Sequence, residues 1–232
     1  TVVSPFYPYA RQDKKHKGRE PISARLISDL YKTAGADRLM CVDLHTSQIQ
    51  GFFDGPLDHL FAIPVLAKHI RERVEDLSNV TVVSPDTGRV RVAEHWADLL
   101  DGAPLAFVHK TRDINVPNQA VSKTVVGDIE GRTCVLIDDM IDTGGTIAGA
   151  VKVLMDKGAK EVIIAATHPV LSDPAAERLS QCGAVEVIVT NTLPVPEEKQ
   201  FDNLTILSIA PLIARAIREV FDEGSVTEIF DH

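Results

Sequence analysis

The stretch Val135-Leu136-Ile137-Asp138-Asp139-Met140-Ile141-Asp142-Thr143-Gly144-Gly145-Thr146 holds the most chemistry in the chain. An apolar run ends in two acids, a loop of small residues comes next, and a helical pattern begins at the glycine pair. Glycines accept positive φ and let a backbone approach an anion closely. Free N–H groups and the dipole at a helix start then bind a phosphate, and Thr143 and Thr146 can add hydroxyl donors. Ionised carboxylates accept hydrogen bonds, so Asp138 and Asp139 suit a pair of sugar hydroxyls. A lone Gly-Gly would be a plain strand-to-helix turn with capping acids. The full D-D-x-x-D-T-G-G-T run points instead to a phosphorylated sugar.

Four other segments place reactive or charged groups at or just beyond the end of a strand. Arg11, Lys14, Lys15, Lys17 and Arg19 crowd one stretch, which is either a solvated turn or a seat for an anion. Val42-Asp43-Leu44-His45 delivers His45 at the C-terminal end of a strand, where ligands bind in parallel α/β sheets. Such a histidine, taken alone, is more often structural. Val83-Ser84-Pro85-Asp86 ends in an acid near a glycine, as a turn or as a ligand. Phe107-Val108-His109-Lys110-Thr111-Arg112 sets two cations one residue apart, so both can leave the strand end toward one anion, or both can be solvated.

These segments need a frame. Apolar runs rich in Val and Ile predict strands near 1–4, 38–43, 80–84, 104–109, 133–138, 161–166, 185–190 and 204–208. Helix-period patterns fall near 21–34, 62–77, 90–100, 145–157, 174–181 and 211–222. Continuous apolar strands such as Cys134-Val135-Leu136-Ile137 imply burial on both faces. The alternation implies an α/β fold, parallel sheets with helices on both faces. Pro21 can open a helix with Ile22, Leu26, Ile27, Leu30 and Tyr31 on one face, and Gly35 can end it. Asp173-Pro174 reads as N-cap and first helical residue, with Gly183 past the end. The polar stretch 113–123 reads as a mobile loop. A domain boundary is expected at Asp54-Gly55-Pro56.

At 232 residues, 44% hydrophobic and 25% charged, the chain has the make-up of one or two globular domains. A net charge of -9 argues against a general binder of nucleic acid or membrane surfaces. Cys41, Cys134 and Cys182 are odd in number and widely spaced, which suggests reduced thiols in the cytoplasm. Neither a membrane span nor a signal peptide is visible. The opening Thr1-Val2-Val3-Ser4-Pro5-Phe6 reads as a strand end cut from a longer protein.

Over most of its length the chain resembles the ribose-phosphate diphosphokinases, or phosphoribosyl diphosphate synthetases. The phosphate loop is similar to the ribose-phosphate signature of type I phosphoribosyltransferase folds. That resemblance implies that Asp138 and Asp139 hold the ribose hydroxyls, and that Asp142, Thr143, Gly144, Gly145, Thr146 and Ile147 hold the 5-phosphate. The run Tyr9-Ala10-Arg11-Gln12-Asp13 matches the synthetases' Y-x-R-Q-D and implies ATP contacts for Arg11 and Gln12. The run from Asp43 to Asp54 matches D-L-H-x-x-Q-I-Q-G-F-F-D and implies that His45 is a Mg²⁺ ligand. Ser84-Pro85-Asp86 matches S-P-D-x-G-G and implies Asp86 as the second ligand, although Arg89 stands where the pattern has a second glycine. Lys110 and Arg112 match K-x-R, the transition-state cations on a flexible loop, and Arg112 also touches ribose 5-phosphate by that match. Asp142 is the nearest acid in sequence for a general base.

The implied architecture is two phosphoribosyltransferase-like domains, the first incomplete: residues 1–56, then 57–212, with 213–232 returning to the first. In the family the segment from Gly224 to Phe230 lies near a regulatory phosphate or ADP site between subunits, and members assemble as hexamers. The implied substrates are ATP and ribose 5-phosphate, with no nucleic acid and no membrane. Two rivals share parts of the pattern. A phosphoribosyltransferase needs the phosphate loop but not the Arg11, His45 and Lys110 segments. A regulatory homologue that binds without catalysis would have lost cations or metal ligands.

Overall fold

The fold comes from a computed structural model that describes every residue except 16, 86–89, 112–121 and 231–232; at 90, 110, 111, 122 and 123 the backbone alone is described. The chain forms two compact units, Thr1–Ala62 with Ser208–His232, and Ile63–Leu207.

The first unit is built on a parallel sheet of β1 (Val2–Val3), β2 (Leu39–Val42) and β3 (Leu57–Leu60), in that order. Helix α1 (Ser23–Thr33) joins β1 to β2. It buries Ala24 and Ser28, while Leu26 and Leu30 stay 56% and 55% exposed. Of the apolar face, Ile27 and Tyr31 pack against the core, while Leu26 and Leu30 do not. The small residues let α1 approach closely enough for the Tyr7 hydroxyl to donate to the Ala24 carbonyl at 2.8 Å and bond Ser28 Oγ at 2.6 Å. Ile22, not Pro21, holds the N-cap position, and Gly35 closes the helix at φ +96. Strand β3 escaped the sequence reading because Asp58 and His59 break its apolar pattern. Their partners are tertiary: Arg38 Nη1 lies 3.0 Å from Asp58 Oδ2, and the Leu44 N–H donates to His59 Nε2 at 2.9 Å. The boundary expected after residue 56 moves to 62 because β3 joins this sheet. The later boundary moves from 212 to 207, since the last helix groups whole with this unit. Near the chain's end, the Phe230 ring stands edge-on to Phe61 with centroids 5.4 Å apart.

The second unit carries a sheet of seven strands. Along the chain these are β4 (Val80–Ser84), β5 (Leu105–Thr111), β6 (Ser122–Val126), β7 (Thr133–Ile141), β8 (Glu161–Pro169), β9 (Glu186–Thr190) and β10 (Leu204–Leu207), in spatial order β10-β9-β8-β7-β4-β5-β6. All neighbours are parallel except β5 and β6. The helices are α2 (Ile63–Arg73), α3 (Val90–Leu99), α4 (Gly145–Asp156) and α5 (Ala175–Ser180); α6 (Ala210–Phe221) belongs to the first unit. Cys134 and Leu136 of β7 pack with Ile147, Val151 and Leu154 of α4. Val135 and Ile137 alternate with them, point to the other face by the pleat, and are equally buried. Both faces of this central strand are thus covered.

The expected mobile loop, 113–123, lies outside the described residues up to 121. Its last two residues begin β6, which pairs antiparallel with β5 from Thr111↔Ser122 inward. The apolar signal of β6 sits only at Val125 and Val126, so cross-strand pairing, not pattern, defines its start. At α5 the cap is also corrected. Pro174 occupies the N-cap position without a side-chain bond, and Asp173 instead faces Lys199, 3.7 Å from its Nζ.

Candidate active site

The run from Asp138 to Thr146 forms the strand–loop–helix turn that the sequence suggested, with one difference. Strand β7 does not stop at the acid pair but runs on to Ile141, because β8 pairs with it through Met140↔His168 and Ile141↔Pro169. Asp138 and Asp139 are therefore held in a ladder rather than at a frayed end. Asp139 is buried, Asp138 half-buried, and Asp138 Oδ1 accepts the Asp139 N–H at 2.9 Å. Beyond the strand, Gly144 takes the N-cap position of α4 in the left-handed conformation, φ 71 and ψ -4. The first intrahelical bond is Ala148 N–H to the Gly144 carbonyl at 2.9 Å. The N–H groups of Gly145, Thr146 and Ile147 consequently have no acceptor within the helix. Thr143, Gly145 and Thr146 are exposed, and no acid stands in the first helical turn to compete with an anion. Ile147 is buried in the core, so of its groups only the backbone N–H can serve a ligand.

Helix α5 forms the floor of this loop. A methyl on Gly144 would lie 3.5 Å from Ala175 Cα and Leu179 Cγ. Arg178 donates from Nη1 to the Thr143 carbonyl at 2.9 Å.

In the first unit, two of the sequence-selected segments are brought together by a residue the sequence reading passed over. Asp13 is 5% exposed. Its Oδ2 accepts from Thr46 Oγ1 at 2.7 Å and from Gln48 Nε2 at 2.5 Å. Asp13 comes directly after Arg11 and Gln12, and Thr46 directly after His45, so one carboxylate ties both segments. Arg11 is exposed and His45 half-buried. Gln12 uses its amide nitrogen to hold its own basic loop, donating to Lys14 O at 3.2 Å and Pro21 O at 3.1 Å. Asp43, at φ 40, accepts the Ala62 N–H on Oδ2 at 3.0 Å. His59 is not a second imidazole ligand here, since its Nε2 lone pair takes the Leu44 N–H. Among the described residues, no three His, Cys, Asp or Glu side chains cluster as a metal site.

Of the remaining selected residues, Asp86 and Arg112 lie outside the described residues. Lys110 has its backbone in the β5–β6 ladder, opposite Lys123, rather than on a free loop. Buried thiols are excluded as nucleophiles, because burial pushes Cys41 and Cys134 up to about 12.

Known proteins give the chain its kin. A model described as the phosphoribosyl synthetase-associated domain matches residues 103–231, and one for the N-terminal domain of ribose phosphate pyrophosphokinase matches residues 1–35. The ribose-phosphate pyrophosphokinase of Mycobacterium tuberculosis is 71% identical over 231 residues, covering 100% of this chain and 71% of that protein. This chain belongs to the ribose-phosphate pyrophosphokinase family. The Bifidobacterium longum member is 66% identical over 232 residues, with 100% and 68% covered. The crystal structure of phosphoribosylpyrophosphate synthetase from Mycobacterium smegmatis superposes with a TM-score of 0.89 at 66% identity, over 96% of this chain and 71% of that one. Membership makes the chain an enzyme of the transferase class. A phosphoribosyltransferase is not favoured, because the pyrophosphokinase match runs through every segment and not the phosphate loop alone.

Proposed function

We propose that the chain transfers the diphosphate of ATP to the 1-hydroxyl of ribose 5-phosphate, giving 5-phosphoribosyl 1-diphosphate and AMP for nucleotide biosynthesis. The observation that carries this reading is the 71% identity to a ribose-phosphate pyrophosphokinase over 231 residues; the loop at Gly144, where a left-handed residue opens a helix whose first N–H groups lack helical acceptors, supports a sugar-phosphate seat within it.

In this reaction the hydroxyl oxygen attacks the β-phosphorus, the bond from that phosphorus to the α-phosphate oxygen breaks, and the hydroxyl proton is lost to water. Such transfers are catalysed by positioning and charge neutralisation more than by covalent chemistry. The second unit supplies the ribose 5-phosphate seat. Asp138 and Asp139 accept from the ribose hydroxyls, and Asp142 to Ile147 hold the 5-phosphate through N–H and hydroxyl donors. Arg11 and Gln12 of the first unit serve ATP, and Lys110 and Arg112 neutralise charge developing on the transferred group. Arginine suits forked phosphate contacts, whereas lysine acts as a point charge.

A magnesium ion carried with the nucleotide would be held by His45 and Asp86. Mg²⁺ keeps water and phosphate oxygens and asks few ligands of the protein. When bound it would neutralise charge on the phosphate oxygens.

We place the enzyme in the cytoplasm, a reading supported by three unpaired cysteines; no described helix is long and apolar enough to cross a membrane. Self-association as in the family, with phosphate or ADP as effectors near the segment from Gly224 to Phe230, belongs to the same proposal. The test is AMP release from ATP and Mg²⁺ with and without ribose 5-phosphate. Dependence on the sugar phosphate is expected. Its absence, with ribose 5-phosphate still bound, would favour a non-catalytic homologue.

A further inference from the structure

We propose that Arg178, on the short helix beneath the phosphate loop, is a positioning residue for the sugar-phosphate substrate: it fixes the direction of the Thr143–Gly144 peptide. The inference rests on reading this loop as the ribose 5-phosphate seat. Arg178 Nη1 donates to the Thr143 carbonyl at 2.9 Å across 35 residues of sequence. A trans peptide is planar, so its C=O and N–H point in opposite directions. Drawing the Thr143 carbonyl toward α5 therefore sends the Gly144 N–H the other way, out of the helix floor. Gly144, at φ 71 and lacking a Cβ, imposes little preference of its own on that peptide plane. A flipped peptide would aim a carbonyl dipole at the bound phosphate instead of an N–H.

Two further observations place the guanidinium at this seat. Its Nη1 lies 3.5 Å from where a Cβ on Gly145, the first residue of α4, would stand. Ala175 and Leu179, on the same helix as Arg178, pack beneath Gly144. Helix α5 thus holds the loop by packing and by one charged hydrogen bond. Arg178 is exposed, so its removal leaves the hydrophobic floor intact.

The experiment is calorimetric binding of ribose 5-phosphate to the wild-type chain, Arg178→Ala and Arg178→Lys, with KM for ATP and the urea midpoint measured in parallel. The alanine variant is expected to bind ribose 5-phosphate about tenfold or more weakly, the usual scale for losing a charged hydrogen bond. Its KM for ATP stays within about twofold of wild type and its urea midpoint is unchanged, which a general structural defect would not allow. Lysine keeps the charge but not the fork and falls between. Wild-type affinity in Arg178→Ala overturns the proposal, as does a rise in KM for ATP equal to the loss of ribose 5-phosphate affinity. Should alanine prevent folding, Arg178→Met, which keeps the packed stem, decides on the same criteria. A wild-type chain that binds ribose 5-phosphate but releases no AMP overturns the proposed reaction and leaves Arg178 judged by binding. A wild-type chain that binds none overturns both.

Discussion

Replacing Asp13 tests whether one buried carboxylate holds the Arg11 and His45 segments together. Its Oδ2 accepts two bonds, from Thr46 Oγ1 at 2.7 Å and Gln48 Nε2 at 2.5 Å. Hydrogen bonds to a charged group contribute about 1.5–3 kcal/mol each. Alanine loses both, about 3–6 kcal/mol before relaxation. Thr46 is half-buried and Gln48 exposed, so water can recover part of this, leaving roughly 2–4 kcal/mol. Asparagine can place its one carbonyl oxygen where Oδ2 stands and keep both donors. It forfeits the charge assistance, which is roughly half of each bond, for about 1–2 kcal/mol. Urea unfolding at neutral pH reads the stability loss. Steady-state kinetics reads the function: KM for ATP is expected to rise about tenfold or more in Asp13→Ala and less in Asp13→Asn, because about 1.4 kcal/mol corresponds to about tenfold. Wild-type stability and wild-type KM for ATP in the alanine variant would refute the coupling. An asparagine variant as stable and as active as wild type would refute the charge argument while keeping the contact.

Gly144→Ala should fold, since the new methyl meets Ala175 Cα at an ordinary 3.5 Å, but the left-handed φ costs it about 1–2 kcal/mol. Calorimetry should show ribose 5-phosphate bound roughly five- to tenfold more weakly; unchanged affinity would speak against the loop as its seat. Lys110→Ala is expected to lower turnover at least about a hundredfold while sparing ribose 5-phosphate binding, the scale for removing one preorganised charge donor. Near-normal turnover would remove Lys110 from the reaction. Alkaline stability depends on the buried thiols. Burial raises Cys41 and Cys134 from 9.0 to about 12, so between these values the unfolded chain releases protons that the folded chain keeps. Their contribution is full below about pH 9 and is lost as pH rises toward 12. The urea midpoint should fall over that window, and Cys134→Ala should flatten the decline; an unaltered slope would contradict the assignment.

Much of the fold was legible because its strands are runs of Val and Ile and its helices carry their own stop signals, as Gly35 and Gly183 show at positive φ. The phosphate loop was legible for the same reason: its glycines, acids and threonines are consecutive, so sequence order is spatial order. What escaped depends on partners far along the chain. Strand β3 needs Arg38 beside Asp58, and β6 needs β5 across from it. On α1 the apolar period gave a stripe through Leu26 and Leu30, yet the close contact with Tyr7 is made by Ala24 and Ser28, whose small side chains carry little periodic signal. Arg178 reaches Thr143 only after α5 folds beneath the loop, and nothing local marks it. Asp13 stood inside a recognised run, but its role required the turn at Thr46 to be in place.

Phosphorus NMR of the complete reaction bears most directly on diphosphoryl transfer. With ATP, Mg²⁺ and ribose 5-phosphate, AMP and a sugar-linked diphosphate should rise together, one for one, with no ADP formed by the enzyme. Appearance of ADP with a singly phosphorylated sugar C1 would mean an ordinary γ-phosphoryl kinase and would contradict the proposed chemistry.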